Sequence, residues 1–303
     1  MGYQPIENYG IIGDLNTIAL VGINGSIDFM CFPDFDSPSV FAAMLDDNHG
    51  GSFSISPQLD DVKNKQLYIP DTNVLLTRFL SEEGVGEITD FMPVEELYKG
   101  HILIRRVTAV RGELSFRMMC SPRFNYARSE HTAELSNNVI LFRSRGEDKT
   151  ALRLLSTIPI KIQNGDGYAE FKLKTGESAD FILQFVKKNA VEIGDIKQFI
   201  TSNLYETMNY WKDWIAESRY TGRWQEMVNR STLVLKLMTS CRYGSLVASP
   251  TFSLPEYIGG DRNWDYRYTW IRDASFTIYS LINLGYIKEA GAFMKWVEKE
   301  CQD

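Results

Sequence analysis

Histidine and paired cysteine are scarce in this 303-residue chain. It has three histidines, and its four cysteines (Cys31, Cys120, Cys241 and Cys301) form no Cys-x-x-Cys pair. Such spacing excludes zinc ribbons and thioredoxin-type redox sites, and it predicts reduced thiols buried as small hydrophobes. His49, His101 and His131 form no HExxH, and neither a GxGxxG nor a Walker loop is present. No apolar run approaches the roughly 20 residues needed to span a bilayer. The opening "MGYQPIENYG" has no basic or apolar leader segment, which predicts a cytoplasmic chain without a signal peptide. Basic charge is also short: 32 Lys and Arg stand against 39 Asp and Glu, a net charge of −7. An acidic balance argues against nucleic acid, whose phosphates need clustered Lys and Arg. Neither a nucleic acid nor a membrane is therefore expected as a partner.

What is present divides into two halves of different period. From residue 10 to about 188, short segments alternate apolar and polar residues, with Gly, Asn, Asp or Pro between most of them. "TIALVGINGSIDFMCF" reads as two strands joined at Asn24-Gly25, a pair that tolerates positive φ. "GSFSIS", "NVLLTRFL", "ILIRRVTAV", "ELSFRMMC", "NVILFRS", "AEFKLKT" and "ADFILQFV" continue the pattern. Many strands without intervening helices predict an antiparallel β-sandwich.

After Lys188 the period becomes helical. Ile196, Phe199, Ile200, Leu204, Trp211, Trp214 and Ile215 fit one or two amphipathic helices. Trp224, Met227, Val228, Leu235 and Met238 fit another, ending before Gly244. "GSLVASPTFSLPEYIGGD" reads as a loop broken by Pro250, Pro255 and Gly259-Gly260. A third helix fits from about Asp265 to Leu284, and a fourth from near Ile287 to the last residue, Asp303. Phe293, Met294, Trp296 and Val297 give this last helix an apolar side that needs a partner. Expected boundaries are 1–190 for the sandwich, 191–221 for linker helices and 222–303 for the remaining helices.

The most chemically loaded segment is "NWDYRYTWIRDASF", residues 263–276. On a helix Tyr266, Trp270 and Asp273 would share a face, with Arg272 about 100° away from Asp273. Rings beside a carboxylate and a guanidinium suit a sugar: the rings stack on C–H faces and the charged groups fix hydroxyls. Spacing leaves open a second reading, a helix with core aromatics and a structural Arg–Asp pair. The acidic positions Asp34, Asp36, Asp46 and Asp47 lack an EF-hand frame and read as turn residues.

At this segment the sequence resembles glycoside hydrolase family 15, the glucoamylase, glucodextranase and trehalase-like family. "IENYGIIGDLNTIALVGINGSIDFMCFPDFDSPSVFAAMLDDNHGG" resembles its trehalase-like N-terminal sandwich, and "SPRFNYAR" a further sandwich segment. "GSLVASPTFSLPE" followed by "GGDRNWDYRYTWIRDASF" resembles the start of its catalytic (α/α)6 barrel. The resemblance implies a β-sandwich followed by the first helices of an incomplete barrel. It implies that Arg272 and Asp273 hold hydroxyls of the glucose in the −1 subsite, that Tyr266 lies against that sugar and that Trp270 borders the catalytic acid. It also implies inverting hydrolysis by two carboxyls about 6.5–9.5 Å apart. Both glutamates belong to later barrel helices and nothing here matches them, so the general acid and base are expected beyond Asp303. Glu256 falls in the "SLPE" loop, and Glu289, Glu298 and Glu300 read as the solvated face of the last helix. The expected chain therefore carries half a site and is inactive alone. Its partners would be trehalose, another glucose-containing oligosaccharide or an α-glucan, and a like chain or the missing barrel half. No metal or cofactor is implied. Many members read Pro-Arg-Phe-Asp where this chain has Pro33-Asp34-Phe35-Asp36, so an arginine at the expected sandwich–barrel contact is missing.

Overall fold

The computed structural model describes residues 3–94, 100–186, 192–250, 254–257 and 259–302. Lys188, where the period is expected to change, and Asp303, where the last helix is expected to end, lie outside the described residues. Two antiparallel sheets of eight strands each are formed among those described. The first contains β1 (Tyr9–Gly13), β2 (Ile18–Gly22), β3 (Ser26–Cys31), β5 (Phe53–Pro57), β10 (Glu113–Cys120), β15 (Asp166–Lys174) and β14 (Lys161–Gln163) in that spatial order. β4 (Ser39–Ala42) pairs with β3 off this path. The second runs β11 (His131–Ser136), β12 (Val139–Ser144), β13 (Ala151–Ser156), β16 (Ser178–Phe185), β9 (Ile102–Arg111), β8 (Val85–Phe91), β7 (Leu75–Leu80) and β6 (Lys63–Tyr68). The strands read from periodicity are all here, and the Asn24-Gly25 turn joins β2 to β3. Gly25 has φ +81°, and a Cβ there would lie 2.3 Å from the Ile55 carbonyl oxygen, so both the turn and the close approach require glycine.

Alternation along the strands sends one set of side chains between the sheets. Ile12, Val21, Ile27, Met30, Phe53, Ile55, Ile88, Leu103, Val107, Phe116, Leu154, Phe181 and Leu183 belong to this inner core. β1, β2 and β3 are buried on their other face as well. There Ile11, Ile18, Leu20, Phe29 and Cys31 join a second core made with the helices. Burial on both sides explains why "IALV" and "FMC" within these strands are unbroken apolar runs.

Four long helices follow among the described residues. α1 (Ile196–Ile215) starts at Asp195, whose carboxylate accepts the Gln198 amide. Its first half lays Ile200 on the outer face of the second sheet, against Val74, Phe91, Ile102, Ile104, Leu155 and Ile182. Its second half turns Trp211, Trp214 and Ile215 into the helical core. α2 (Gln225–Leu237) buries Thr232, Leu233 and Leu237. Here the expectation from periodicity needs correction. Trp224 and Met227 are exposed, because the face that docks on the sandwich is set by Leu233 and Leu237, and the Arg223 guanidinium lies 4.7 Å from the Trp224 ring. Arg230 secures that docking by donating to the Thr72 carbonyl at 2.7 Å while lying 3.9 Å above the Tyr68 ring.

α3 (Ile271–Leu284) and α4 (Ile287–Glu300) form a hairpin. Gly285, at φ +105°, closes α3, with its amide bonded to the Ile282 carbonyl and the Tyr286 amide to that of Leu281. α4 ends at Glu300 with Cys301 as its cap, so the helix expected to run to Asp303 stops short of it. Phe293 is buried in the helical core, with Trp296 and Val297 half-buried beside it, whereas Met294 is exposed. Among the described residues no helix is long and apolar enough to cross a membrane. The expectation of four buried thiols is half right. Cys31 and Cys120 are buried, but Cys241 lies in the loop after α2 and Cys301 caps α4, and both are exposed.

One buried charge ties the sandwich together. Arg105 of β9 is fully buried and pairs with Asp90 of β8 through Nε at 2.8 Å and Nη2 at 3.1 Å. It also donates to the Gly25 carbonyl at 2.8 Å, in the β2–β3 turn, and to the Phe53 carbonyl of β5, both on the side of the first sheet. Burial pushes the Asp90 carboxyl up, against the Arg105 charge that pulls it down. Arg105→Leu is expected to cost about 3–5 kcal/mol, read as a lower urea midpoint at unchanged m-value. Adding Asp90→Leu should recover only part, since the Gly25 and Phe53 carbonyls still lose the guanidinium donor; full recovery would show that those two bonds carry no weight.

Candidate carbohydrate site

The segment 263–270 precedes α3 and is not helical, which corrects the expected helix start at Asp265. Asp265 uses its carboxylate locally: Oδ1 accepts the Arg267 amide at 3.0 Å, and Arg267 Nη2 reaches Oδ2 at 2.7 Å. Such side chain–backbone bonds compete with a helical first turn. The Tyr266 carbonyl accepts the Ala248 amide at 2.9 Å, the Thr269 hydroxyl donates to the Leu246 carbonyl at 2.8 Å, and the Trp270 indole donates to the Asp265 carbonyl at 3.1 Å. With those groups committed, the helix begins at Ile271, and Trp270 is its extended N-cap.

The common face drawn for Tyr266, Trp270 and Asp273 therefore does not exist as a helix face. Loop geometry still brings the rings together: Tyr266 and Trp270 have centroids 5.2 Å apart, inclined at 46°, and Trp264 meets Trp270 edge-on at 6.2 Å. Arg272 and Asp273 occupy the first turn of α3 and pair at 3.0 Å. The carboxylate is favoured there by the positive end of the helix. The Arg272 side chain is 70% exposed and Asp273 half-buried, so the guanidinium faces solvent.

Tyr266 and Trp264 also line a cleft of about 560 Å³ whose other walls include Tyr3, Tyr9, Tyr257 and Glu256. At its sandwich side the Tyr9 hydroxyl donates to Asp28 at 2.7 Å, and burial together with that carboxylate keeps the phenol protonated well above its usual range. The arginine missing from the "PDFD" turn has a counterpart of reversed sign, since Asp34 lies 3.8 Å from Arg242 of the helical half.

Glu289 corrects a further expectation. It is buried rather than solvated, accepting the Trp214 indole N–H at 2.7 Å and the Lys236 ammonium at 3.0 Å. Glu298 and Glu300 are exposed as expected. Sequence reasoning missed the support of the loop. Arg267 also donates to the hydroxyl of Tyr126 in the sandwich, and Tyr126 lies in "SPRFNYAR", a segment the sequence singles out without giving it a role. Among the described residues no group of three or more His, Cys, Asp or Glu side chains could hold a metal ion.

The chain thus pairs a two-sheet sandwich with an α-hairpin whose lead-in loop carries paired rings and whose first turn carries an Arg–Asp couple, and comparison with known proteins identifies its family. The profile "Trehalase-like, N-terminal" matches residues 2–154, and "Glycosyl hydrolases family 15" matches residues 222–303. The chain belongs to glycoside hydrolase family 15, in the group that carries a trehalase-like N-terminal domain. It is similar to a trehalase of Thermoplasma volcanium, 36% identical over 297 residues, covering 97% of this chain and 47% of the relative. A trehalase of Mycolicibacterium smegmatis is 31% identical over 318 residues, with 97% and 47% covered. Among solved structures, a bacterial glucoamylase complexed with acarbose superposes with a TM-score of 0.73 at 13% identity, covering 98% of this chain and 50% of that one. That likeness is one of fold. The chain spans about half the length of the curated relatives it matches.

Glu289 has a pH signature. Burial raises its carboxyl pKa, but Lys236 and the Trp214 N–H outweigh that, and the net value lies below the ordinary 4.5. The ion pair thus contributes its full stability above that pH and loses it as pH falls through the folded value. Glu289→Gln is expected to lose roughly 1–3 kcal/mol at neutral pH and to flatten the acid limb of the stability–pH curve, measured by thermal unfolding between pH 3 and 7. An unchanged acid limb would remove Glu289 as its source.

Proposed function

We propose that this chain is the sandwich and the opening barrel helices of an exo-acting, inverting α-glucosidase of trehalase or glucoamylase type. On this reading Tyr266, Trp270, Arg272 and Asp273 grip a glucosyl unit at the −1 subsite, and the divisions are 1–190, 191–221 and 222–303. The observation that carries it is the Tyr266–Trp270 ring pair beside the Arg272–Asp273 couple, in a chain matched by both family profiles. An inclined ring pair offers stacking to a pyranose, and a carboxylate with a guanidinium fixes two vicinal hydroxyls by charge-assisted hydrogen bonds.

The acid and base are expected beyond Asp303. Glu289 is occupied by Trp214 and Lys236, which hold its carboxyl below the ordinary range, and Glu298 and Glu300 are solvated, so none sits in the apolar enclosure that a glycosidase acid needs. Outward on α3, Ile271, Phe276, Tyr279 and Ile282 are exposed, Phe276 by 68% and Tyr279 by 67%. A patch of this kind supports cover by further barrel helices, supplied by a longer form of this chain or by a separately encoded partner. In the second case the 303 residues act as an interaction module, the alternative to an enzyme segment.

The test is glucose release from trehalose, maltose, isomaltose and soluble starch by the 303-residue chain, beside Asp273→Asn. General acid–base catalysis is worth about 10²–10⁴ in rate, so no release above the variant is expected. Trehalose or acarbose should still quench tryptophan fluorescence, with affinity at least about ten-fold weaker in Asp273→Asn. Turnover that Asp273→Asn abolishes would show that the carboxyl pair lies within these residues.

A further inference from the structure

The sandwich contains an unusual backbone run next to this loop. Asn125, Tyr126 and Ala127 have φ of 52°, 56° and 59°, three successive residues in the left-handed region, none of them glycine. Asparagine tolerates that conformation, but tyrosine and alanine do so at a cost, and a run persists only where its surroundings over-determine it. They do so here. Phe124 is fully buried and meets His131 edge-on at 5.7 Å. Arg123 grips Asp166 with both terminal nitrogens, at 2.6 and 3.1 Å, and its amide bonds to the Val40 carbonyl at 2.9 Å. The Arg128 amide closes the turn on the Asn125 carbonyl at 3.1 Å.

The turn aims the Tyr126 hydroxyl at Arg267 across the sandwich–helix boundary. Arg267 Nη1 also reaches the Ser37 carbonyl at 3.4 Å, while Nε and Nη2 chelate Asp265 at 3.0 and 2.7 Å. Asp265 in turn holds the Trp270 indole through its carbonyl. Behind the cluster lies the fully buried Cys31 thiol, pushed by burial to about 11 and so neutral. A neutral wall strengthens the Arg–Asp attraction, and the thiol lies within hydrogen-bond reach of both Arg267 and Tyr126.

We propose that Tyr126 and Arg267 are positioning residues of the carbohydrate site: the left-handed turn of the sandwich fixes, through the Tyr126 hydroxyl and the Arg267 guanidinium, the loop that carries Tyr266 and Trp270. This rests on the reading of those two rings as sugar-contacting. A staple needed only to join two halves of the chain could be any exposed ion pair. This one is built on strained backbone and ends on the indole of the site. The sandwich is then part of the active-site scaffold, and the aromatic pair is set before substrate arrives.

Tyr126→Phe deletes one hydroxyl and keeps the ring. In the 303-residue chain it is expected to speed amide hydrogen exchange of residues 263–270 by about ten-fold or more, with exchange in β2, β9 and β16 unchanged. Trehalose affinity, read by tryptophan fluorescence, should fall by about three- to ten-fold. Arg267→Gln, which leaves the turn untouched, should do the same, and Arg267→Lys should not restore it, because an ammonium cannot chelate Asp265 and reach Tyr126 together. Unchanged exchange in 263–270 for both Tyr126→Phe and Arg267→Gln would overturn the proposal. So would a faster loop with parental trehalose affinity. If the parent chain binds no trehalose while the loop loosens in both variants, the sugar reading fails and the clamp on the loop stands.

Discussion

The sandwich depends on a single buried guanidinium. Arg105 comes from the second sheet and donates to two carbonyls on the side of the first, so its position fixes both the spacing of the sheets and the hairpin turn at Gly25. Asp90 neutralises it, and the pair has no exposure at all. A buried charge that lost any of these partners would carry a desolvation penalty of several kcal/mol, so the arrangement tolerates one register only. Gly25 is the matching constraint on the other side, because a Cβ there would drive into the Ile55 carbonyl.

From that fixed hairpin the rest is built outward. β2 and β3 present one set of apolar residues to the other sheet and the alternate set to the helices, so the two halves of the chain share a hydrophobic core. α1 bridges them lengthwise, covering the second sheet at its start and entering the helical core at Trp211 and Trp214. Trp214 stacks on Tyr286 at 4.2 Å and donates to Glu289, so the α3–α4 hairpin is keyed to the same helix. The site segment 263–270 lies where these layers meet, between the first turn of α3 and the Arg267 contacts with the sandwich.

Much of the strand framework was legible because alternation is a local property. What was hidden had local reasons. β13, "ALRLLS", is made of residues that favour helices, and β6, "KNKQLY", is a polar edge strand with little to bury. The candidate site was legible as a composition of rings, a carboxylate and a guanidinium, and the family followed from its motif order. The helical frame assigned to it was not, because Asp265, Arg267 and Trp270 commit their hydrogen bonds to each other and to residues 246–248. Glu289 was misread for a related reason: its helix position looks outward by sequence, but Trp214 and Lys236 arrive from α1 and α2 to cover it.

By itself the sequence determined the change of period after residue 188, the hairpin at Asn24-Gly25, the acidic balance and the residue types of the site, since each is a property of neighbours in the chain or of its composition. Only the tertiary structure decided which faces of β1 to β3 are buried twice, where α3 begins, and that Tyr126 reaches Arg267 across 141 positions of sequence. Those outcomes depend on hydrogen-bond partners and apolar surfaces from distant segments, and no local pattern records which distant group will arrive.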